Sequence, residues 1–514
     1  RIGTNVAAIV ANNALQKSQN NLSTSIERLS SGYKINGSKD DAAGCAISEK
    51  MRAQIRGLSQ AQNNTADGVS VLNTAEGAIT EIQSMLTRLK ELSVQAANDV
   101  NSDDEREAIQ KEIEQINNEI DRISDQTEFN TQSLINGNLS RRVYSDLQGV
   151  NQLSVSDSYT AGVYGITVTE DARQAIAVGA GSITMSSTAS ITEEQAGAIN
   201  INGYKISISE GDTLDKVMGK IIDGVNITGG SAFTVKDLNN DTAANGTDYA
   251  GYVPTADYAG STLVIMTNQY GSDQKMNITC DNAELADILG IPQAATQDGI
   301  YVEGSDVKAE IATGDDGKRI GFADSAILST KGTVITVTDV NNKEFSMDVP
   351  GNAAGTVFDD SNNDGQSAAG AGTARTISQE VTDVGTMSIH VGANQDQVIV
   401  IDIPAITTYS LGTEHMNVMT QYTASRAIST VDEAINKTNK IRSRIGAYEN
   451  RFDHTTNNLE VSSENLTKSL STMIDTDMSE EMTTYTSETV LTQAATSILA
   501  QANERPSQVL QLLQ

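Results

Sequence analysis

The chain has 514 residues, 67 acidic against 35 basic side chains, a formal net charge of −32 and 4% aromatic residues. At roughly 150 residues per domain, that length makes three to four domains, with cores built from Leu, Ile, Val, Met and Ala. The charge excludes non-specific nucleic-acid binding, which needs Lys and Arg to displace counterions, and suits a secreted, soluble surface.

Residues 4–30 carry Val6, Ile9, Val10, Leu15, Leu22, Ile26 and Leu29 on a background of Asn, Gln, Ser and Ala. This pattern predicts an amphipathic helix with one narrow apolar face. The same stretch has no A-x-A site and makes a poor secretory signal, so an exit route that cleaves no leader is expected. From 44 to about 98 a mostly apolar position recurs every seven residues, at Met51, Leu58, Thr65, Leu72, Ile79 and Leu86. Ile47, Ile55, Val69, Ile82 and Leu89 lie between them. A stripe held over about five heptads predicts a coiled-coil-like helix roughly 80 Å long. A second stripe, Ile109, Ile113, Ile116, Ile120 and Ile123, follows the acidic pair Asp103-Asp104, which suits a helix N-terminus.

The middle, about 140–405, changes character. It is rich in Gly, Ser, Thr and Ala, and alternating runs such as 204–211 and 333–340 predict strands, with turn clusters such as 239–246 between them. It holds 35 acidic and 14 basic residues, a net −21 of the total −32. A third heptad stripe follows: Val431, Thr438, Ile445, Phe452, Leu459, Leu466 and Met473, with Ile428, Ile435 and Ile441 between. Residues 478–503 return to the style of the N-terminus, with Met482, Tyr485, Leu491, Ile498 and Leu499, and VLQLL closes the chain through Leu510 and Leu513. Prolines occur only at 254, 292, 350, 404 and 506, which leaves both ends free for long helices. The fold class is multidomain α+β: long antiparallel coiled-coil-like helices from both chain ends, with a β-rich insertion forming outer domains. The short first and last helices are marginal alone. They are expected to be disordered in the monomer and ordered by a partner, and the two ends most simply pair with each other.

Catalysis has no candidate residues. His390, His415 and His454 are widely separated, and H-E-x-x-H, G-x-S-x-G, Walker and Rossmann patterns are absent. The stretch 360–365 matches the start of an EF-hand loop, but Ala371 stands where a bidentate Glu is required. Cys45 and Cys280 lie too far apart in kind and position for a disulfide framework or a metal site, and read as small buried apolar side chains. No run of about 18 apolar residues occurs, so no membrane-spanning helix is expected. No cofactor or metal is called for.

Residues 15–61, 86–99 and 118–137 resemble the N-terminal signature of bacterial flagellin, and 434–459, 474–482 and 499–513 resemble its C-terminal signature. The stretch 197–221 is similar to a β-module inserted in many flagellins and hook proteins, and 387–403 looks like the return hairpin before the C-terminal helix. Departures are small: Cys45 stands where Leu is usual, and the arginine often found before IDTDM-type residues is missing.

The resemblance implies a non-enzymatic subunit of the helical flagellar filament, used for swimming and exported unfolded by the flagellar type III route. It implies an inner-tube coiled coil from 1–42 with 472–514, and an outer-tube helical bundle with a β-hairpin from 43–175 with 403–471. A β-rich surface domain over 176–290 and a second β-rich surface region over 291–402 complete the chain. Ile9, Leu15, Leu22, Ile26, Leu29, Leu491, Ile498, Leu499, Leu510 and Leu513 would carry polymerisation. Met51, Leu58, Leu72, Ile79, Leu86, Ile113, Ile120, Ile445, Phe452 and Leu459 would form the bundle seam. Implied partners are copies of itself, an export chaperone at the C-terminal helix, filament cap and hook-junction proteins, and Toll-like receptor 5 of a host. Arg88, Leu92, Gln95 and Glu112 match the receptor site, although packing alone also explains Leu92. The alternative is a hook–filament junction protein of the same family.

Overall fold

The computed structural model describes residues 5–156, 159–179, 181–236, 258, 260–291, 299–314, 317–339, 343–351, 358–359, 368–369, 374–382 and 384–512. For 235–236, 358–359, 368–369 and 506–512 it describes the backbone alone. The turn cluster at 239–246 and almost all of the EF-hand-like stretch 360–371 lie outside these residues.

Eight α-helices occur among the described residues: α1 (Val6–Ser31), α2 (Ala42–Ala96), α3 (Asp103–Gln126), α4 (Leu214–Ile227), α5 (Ala283–Ile288), α6 (Thr408–Leu411), α7 (Gln421–Ile474) and α8 (Met478–Leu512). The three long heptad stripes fall on α2, α3 and α7. None of these helices is long and apolar enough to cross a membrane. The chain divides into two compact units, one of 1–69, 389–399 and 450–514, the other of 70–388 and 400–449, and both α2 and α7 contribute to each.

In the second unit α2 buries Leu72, Ile79, Ile82, Leu86 and Leu89, α3 buries Ile113 and Ile120, and α7 buries Val431 and Ile445. Two polar members of the heptads are also enclosed. Thr65 and Thr438 donate their hydroxyls to the carbonyls one turn back, Ala61 at 2.7 Å and Ala434 at 2.9 Å, so neither is left unpaired. In the first unit Leu58, Ala61 and Leu459 cluster with Ala393 and Leu466. A Cβ on Gly68 would stand 3.0 Å from the ring of Phe452, so glycine lets α2 and α7 approach there without displacing the ring. Near its start the covered line of α2 runs through Gly44 and Ser48, which leaves Ile47 46% exposed although its spacing places it on the stripe. Cys45 is only half-buried for the same reason, whereas Cys280 is buried.

The β-rich part of the second unit is antiparallel throughout the described strands. A four-stranded sheet orders Ile300–Glu303, Lys275–Cys280, Gly197–Ile201 and Tyr204–Ile208. Helix α4 and a three-stranded sheet of Ile176–Val178, Ser261–Thr267 and Gly230–Lys236 belong to the same module, and Ile199, Ile206, Val217, Ile221, Leu263 and Ile265 meet in its core. The strand at 204 stops at Ile208 because the Asp212 carboxylate accepts the Ser209 N–H at 3.0 Å and closes a turn, with Gly211 at φ 83.

Two further four-stranded sheets share a second core. One orders Lys308–Ile311, Gly162–Glu170, Arg375–Val381 and Val143–Ser145, the other Ile327–Lys331, Val334–Thr338, Glu344–Asp348 and Asn151–Val155. Between them pack Ile166, Val168, Ile335, Val337, Ile377 and a ring cluster of Tyr159, Tyr164, Phe322 and Phe345 with centroids 5.1–6.1 Å apart. This core takes strands from both 143–170 and 308–381, and the strand at 300–303 completes the module of 197–280. Packing therefore groups 143–170 with the later surface strands rather than with the helices. Fold class and the helix–insertion–helix order are those the sequence predicts.

Candidate assembly and recognition surfaces

Helices α1 and α8 lie against each other along most of their length. The Asn5 side chain caps α1 by accepting the Ala8 N–H at 3.0 Å, and its amide donates to the Ala502 carbonyl at 2.8 Å. At the other end Gly32 takes a left-handed cap at φ 79. Its carbonyl accepts the Thr476 N–H at 2.9 Å, while the Lys34 N–H donates to the Ile474 carbonyl at 2.7 Å. Between these ties the residues buried on α1 are Ala11, Ser18 and Ser25, spaced by sevens. Glu481 and Ala502 are buried on α8. Ser18 and Asn21 donate to Glu488 at 2.6 and 2.8 Å, and Ser25 donates to Glu481 at 2.5 Å. The Arg28 guanidinium stands 3.5 Å from the Glu481 carboxylate. The hydrogen bond from Ser18, followed by that from Asn21, holds the Glu488 carboxyl below its ordinary pKa.

Many of the large apolar side chains lie outside this seam. Val6, Ile9, Val10, Ile26, Met478, Met482, Val490, Leu491 and Ile498 are at least half or nearly half exposed. Leu15, Leu22, Leu29 and Leu499 are half-buried. The Leu510 side chain and all of Leu513 lie outside the described residues. The two ends, expected to be disordered in the monomer, are instead helical in the single chain, because each packs on the other.

The second candidate surface is where α2 and α3 run side by side. A capping box starts α3: the Ser102 side chain accepts the Glu105 N–H, and the Glu105 carboxylate accepts the Ser102 N–H at 2.8 Å. Buried Arg106 fixes the connection by donating to the carbonyls of Ala96 and Asn98, both at 3.2 Å. Arg88 on α2 then reaches Glu112 on α3 at 3.0 and 2.8 Å and Glu91 at 3.1 Å. The Glu112 contact, then Glu91, raises the pKa of the guanidinium. Arg88 and Glu112 are exposed and paired, Gln95 is exposed seven residues further along α2, and Leu92 is 1% exposed and belongs to the core.

A profile of the bacterial flagellin N-terminal helical region matches residues 2–140, and one of the C-terminal helical region matches 428–513. A flagellin of Salmonella typhimurium is 32% identical over all of this chain and 99% of its own length. A flagellin of Salmonella muenchen is 31% identical, and polar flagellin A of Vibrio parahaemolyticus 30%, with the same coverage. The chain belongs to the bacterial flagellin family. Flagellin is a structural protein family of the flagellar filament.

Of the seam residues named from this flagellin's sequence, Leu58, Leu72, Ile79, Leu86, Ile113, Ile120, Ile445, Phe452 and Leu459 are buried, and Met51 is half-buried. Sequence reasoning passed over what flanks them. Arg442 of α7 reaches Glu76 at 2.9 and 2.6 Å and Gln83 at 2.5 Å, and Lys90 meets Asp432 at 2.6 Å. It also passed over the small-residue seam of α1, whose signal was available in the seven-residue spacing of Ala11, Ser18 and Ser25.

Proposed function

We propose that this chain is the subunit that polymerises into the helical filament, exported unfolded by the flagellar type III route for swimming motility. The observation that carries this is the division of labour on α1 and α8. The side chains they bury fully are Ala, Ser and Glu, while nine large apolar side chains stay exposed along them. An exposed apolar set of that kind needs an occupant, and a further copy of the chain supplies one. A head-to-tail contact that does not close yields a filament rather than a ring.

In this reading 1–42 with 472–514 line the inner tube, and the helices of 43–175 with 403–471 form the outer tube, while the strands at 143–170 pack with those of the surface domains. Residues 176–290 and 291–402 form the acidic filament surface. Before export the same apolar face of α8 offers a groove-binding chaperone its anchors, Leu491, Ile498 and Leu499 among them. Cap and hook-junction proteins would meet the growing end. Toll-like receptor 5 would read Arg88, Gln95 and Glu112 on the α2–α3 face, with Leu92 setting their position from beneath.

Electron microscopy of the purified monomer after salting-out tests the assembly claim. Long filaments are expected, and failure to polymerise while the ends resist protease would point to a hook–filament junction protein instead. Replacing Arg88 with Asp tests the receptor claim. It reverses the charge facing Glu91 and Glu112, so receptor affinity should fall by about tenfold or more while the melting temperature hardly moves. Unchanged affinity would leave that face as packing alone.

A further inference from the structure

Within the second unit, a cleft of about 400 Å³ opens between the start of α3, the start of α7 and the hairpin tip at Asn202-Gly203. Its volume lies in the range of small-molecule sites. Three tyrosines from three elements line it: Tyr204 at the head of the strand Tyr204–Ile208, Tyr301 on Ile300–Glu303, and Tyr422 in the first turn of α7. Asn202 and Gly203, at φ 50 and 90, make the tight turn that delivers Tyr204. The Asn202 side chain accepts the Asn277 N–H at 2.8 Å and donates to the Lys275 carbonyl at 3.1 Å, which ties this tip to the next strand. The Lys275 ammonium meets Glu303 at 2.7 Å and stands 5.7 Å from the centre of the Tyr301 ring, so that ring is held in place while 50% of its residue stays exposed. Tyr204 and Tyr422 are half-buried, and their hydroxyls have no hydrogen-bond partner among the described residues.

The charged part of the lining is balanced and loosely paired. Arg106, its side chain only 9% exposed, donates from Nε and Nη2 to backbone carbonyls. Its guanidinium then stands 3.8 Å from the Asp103 carboxylate and 4.0 Å from that of Asp99, too far for a hydrogen bond to either. Spare N–H donors and two acceptors therefore face each other across a gap. One hydroxyl oxygen fills such a gap, accepting from the guanidinium and donating to a carboxylate. With Lys275, the lining sets two cations against two carboxylates, so in a chain of net charge −32 this cleft favours neither sign of ligand. A neutral molecule with several hydroxyls and an apolar C–H face matches both the open ion pairs and the tyrosine rings.

We infer that this cleft binds a neutral pyranose sugar, free or linked in a glycan, with its C–H groups on the tyrosines and its hydroxyls between Arg106 and the carboxylates of Asp99 and Asp103. The site shares no residue with α1, α8 or the Arg88–Glu112 pair, and does not depend on assembly.

Saturation-transfer NMR on the full-length monomer, dilute enough to stay unpolymerised, tests this by irradiating aromatic ring protons. The probes are glucose, galactose and mannose, each as the free sugar and as its methyl glycoside. Transfer to the ring C–H protons of at least one probe is expected, saturating as that probe is titrated. Saturation by glycosides alone assigns a linked glycan, and by free sugars alone a soluble one; either bears the inference out. Tyr301→Ala should weaken binding about fivefold or more, and Asp99→Ala and Asp103→Ala each about tenfold. Tyr144→Ala, which removes a tyrosine 56% exposed on another sheet, should change nothing. The Asp99 side chain is 86% exposed, so its variant keeps the test decisive if Tyr301→Ala disturbs its strand. No saturable transfer to any probe, an unaffected Asp99→Ala, or an equal loss in Tyr144→Ala would each overturn the inference.

Discussion

Helices α2 and α7 and helices α1 and α8 are both written in sevens, yet they place opposite residues on the repeat. The long pair puts Leu72, Ile79 and Leu86 on it in one unit, and Leu58, Phe452 and Leu459 in the other, all buried. Full burial of such side chains stabilises by about 1.5–3 kcal/mol each, so this seam is complete within one chain. The terminal pair puts Ala11, Ser18 and Ser25 on its repeat and turns Ile9, Ile26, Leu491 and Ile498 outward. A seam of small and polar groups registers two helices without finishing their burial. The difference separates what folds from what assembles: one region has spent its apolar surface internally, and the other has kept it for neighbours.

Removing residues 472–514 breaks the comparison most completely. Polymerisation should be abolished, while the ring cluster of Tyr159, Tyr164, Phe322 and Phe345 keeps its near-ultraviolet circular dichroism; filaments that persist would sink the terminal-helix mechanism. Next in size is Phe452→Ala in the long-helix seam. Phe452 is fully buried and sits on Gly68, so the change should cost about 3–5 kcal/mol in denaturant unfolding. A loss below about 1 kcal/mol would mean that this seam is as incomplete as the terminal one. Ser102→Ala removes the capping box of α3 and should cost about 1 kcal/mol. If Arg88, which depends on α3 for its Glu112 partner, is to be read by a receptor, the same variant should also weaken that recognition.

The heptads made the long helices legible, and alternation made the strands legible, because both periods report a single buried face. Which strands share a core was not legible. Val143–Ser145 and Gly162–Glu170 pair with Arg375–Val381 across more than 200 positions, and nothing local in either stretch specifies its partner. The exposed state of Arg88 and Glu112 follows from their place off the stripes, but their mutual ion pair needs α2 and α3 to be antiparallel neighbours. The terminal seam is not legible from apolar periodicity alone. In α1 the fully buried positions are the small residues that allow close approach, Leu15, Leu22 and Leu29 are half-buried between them, and Val6, Ile9, Val10 and Ile26 mark the face that stays open.

The smallest effect expected sharpens the terminal seam itself. Glu488 accepts hydrogen bonds from Ser18 and Asn21, and both hold its pKa below the ordinary 4.5. A carboxyl with a depressed folded-state pKa binds fewer protons folded than unfolded, so stability rises with pH through that window. Its contribution to the α1–α8 contact is therefore present above about pH 4.5 and is lost as pH falls through the lower folded value. Glu488→Gln keeps an acceptor but removes the ionisation. The helical circular dichroism of the variant, followed between about pH 6 and pH 3, should fall less steeply than that of the parent chain. A parent and variant that lose helix along the same curve would show that acid acts on the terminal pair through other carboxylates, with Glu481, beside Ser25 and Arg28, as the next to change.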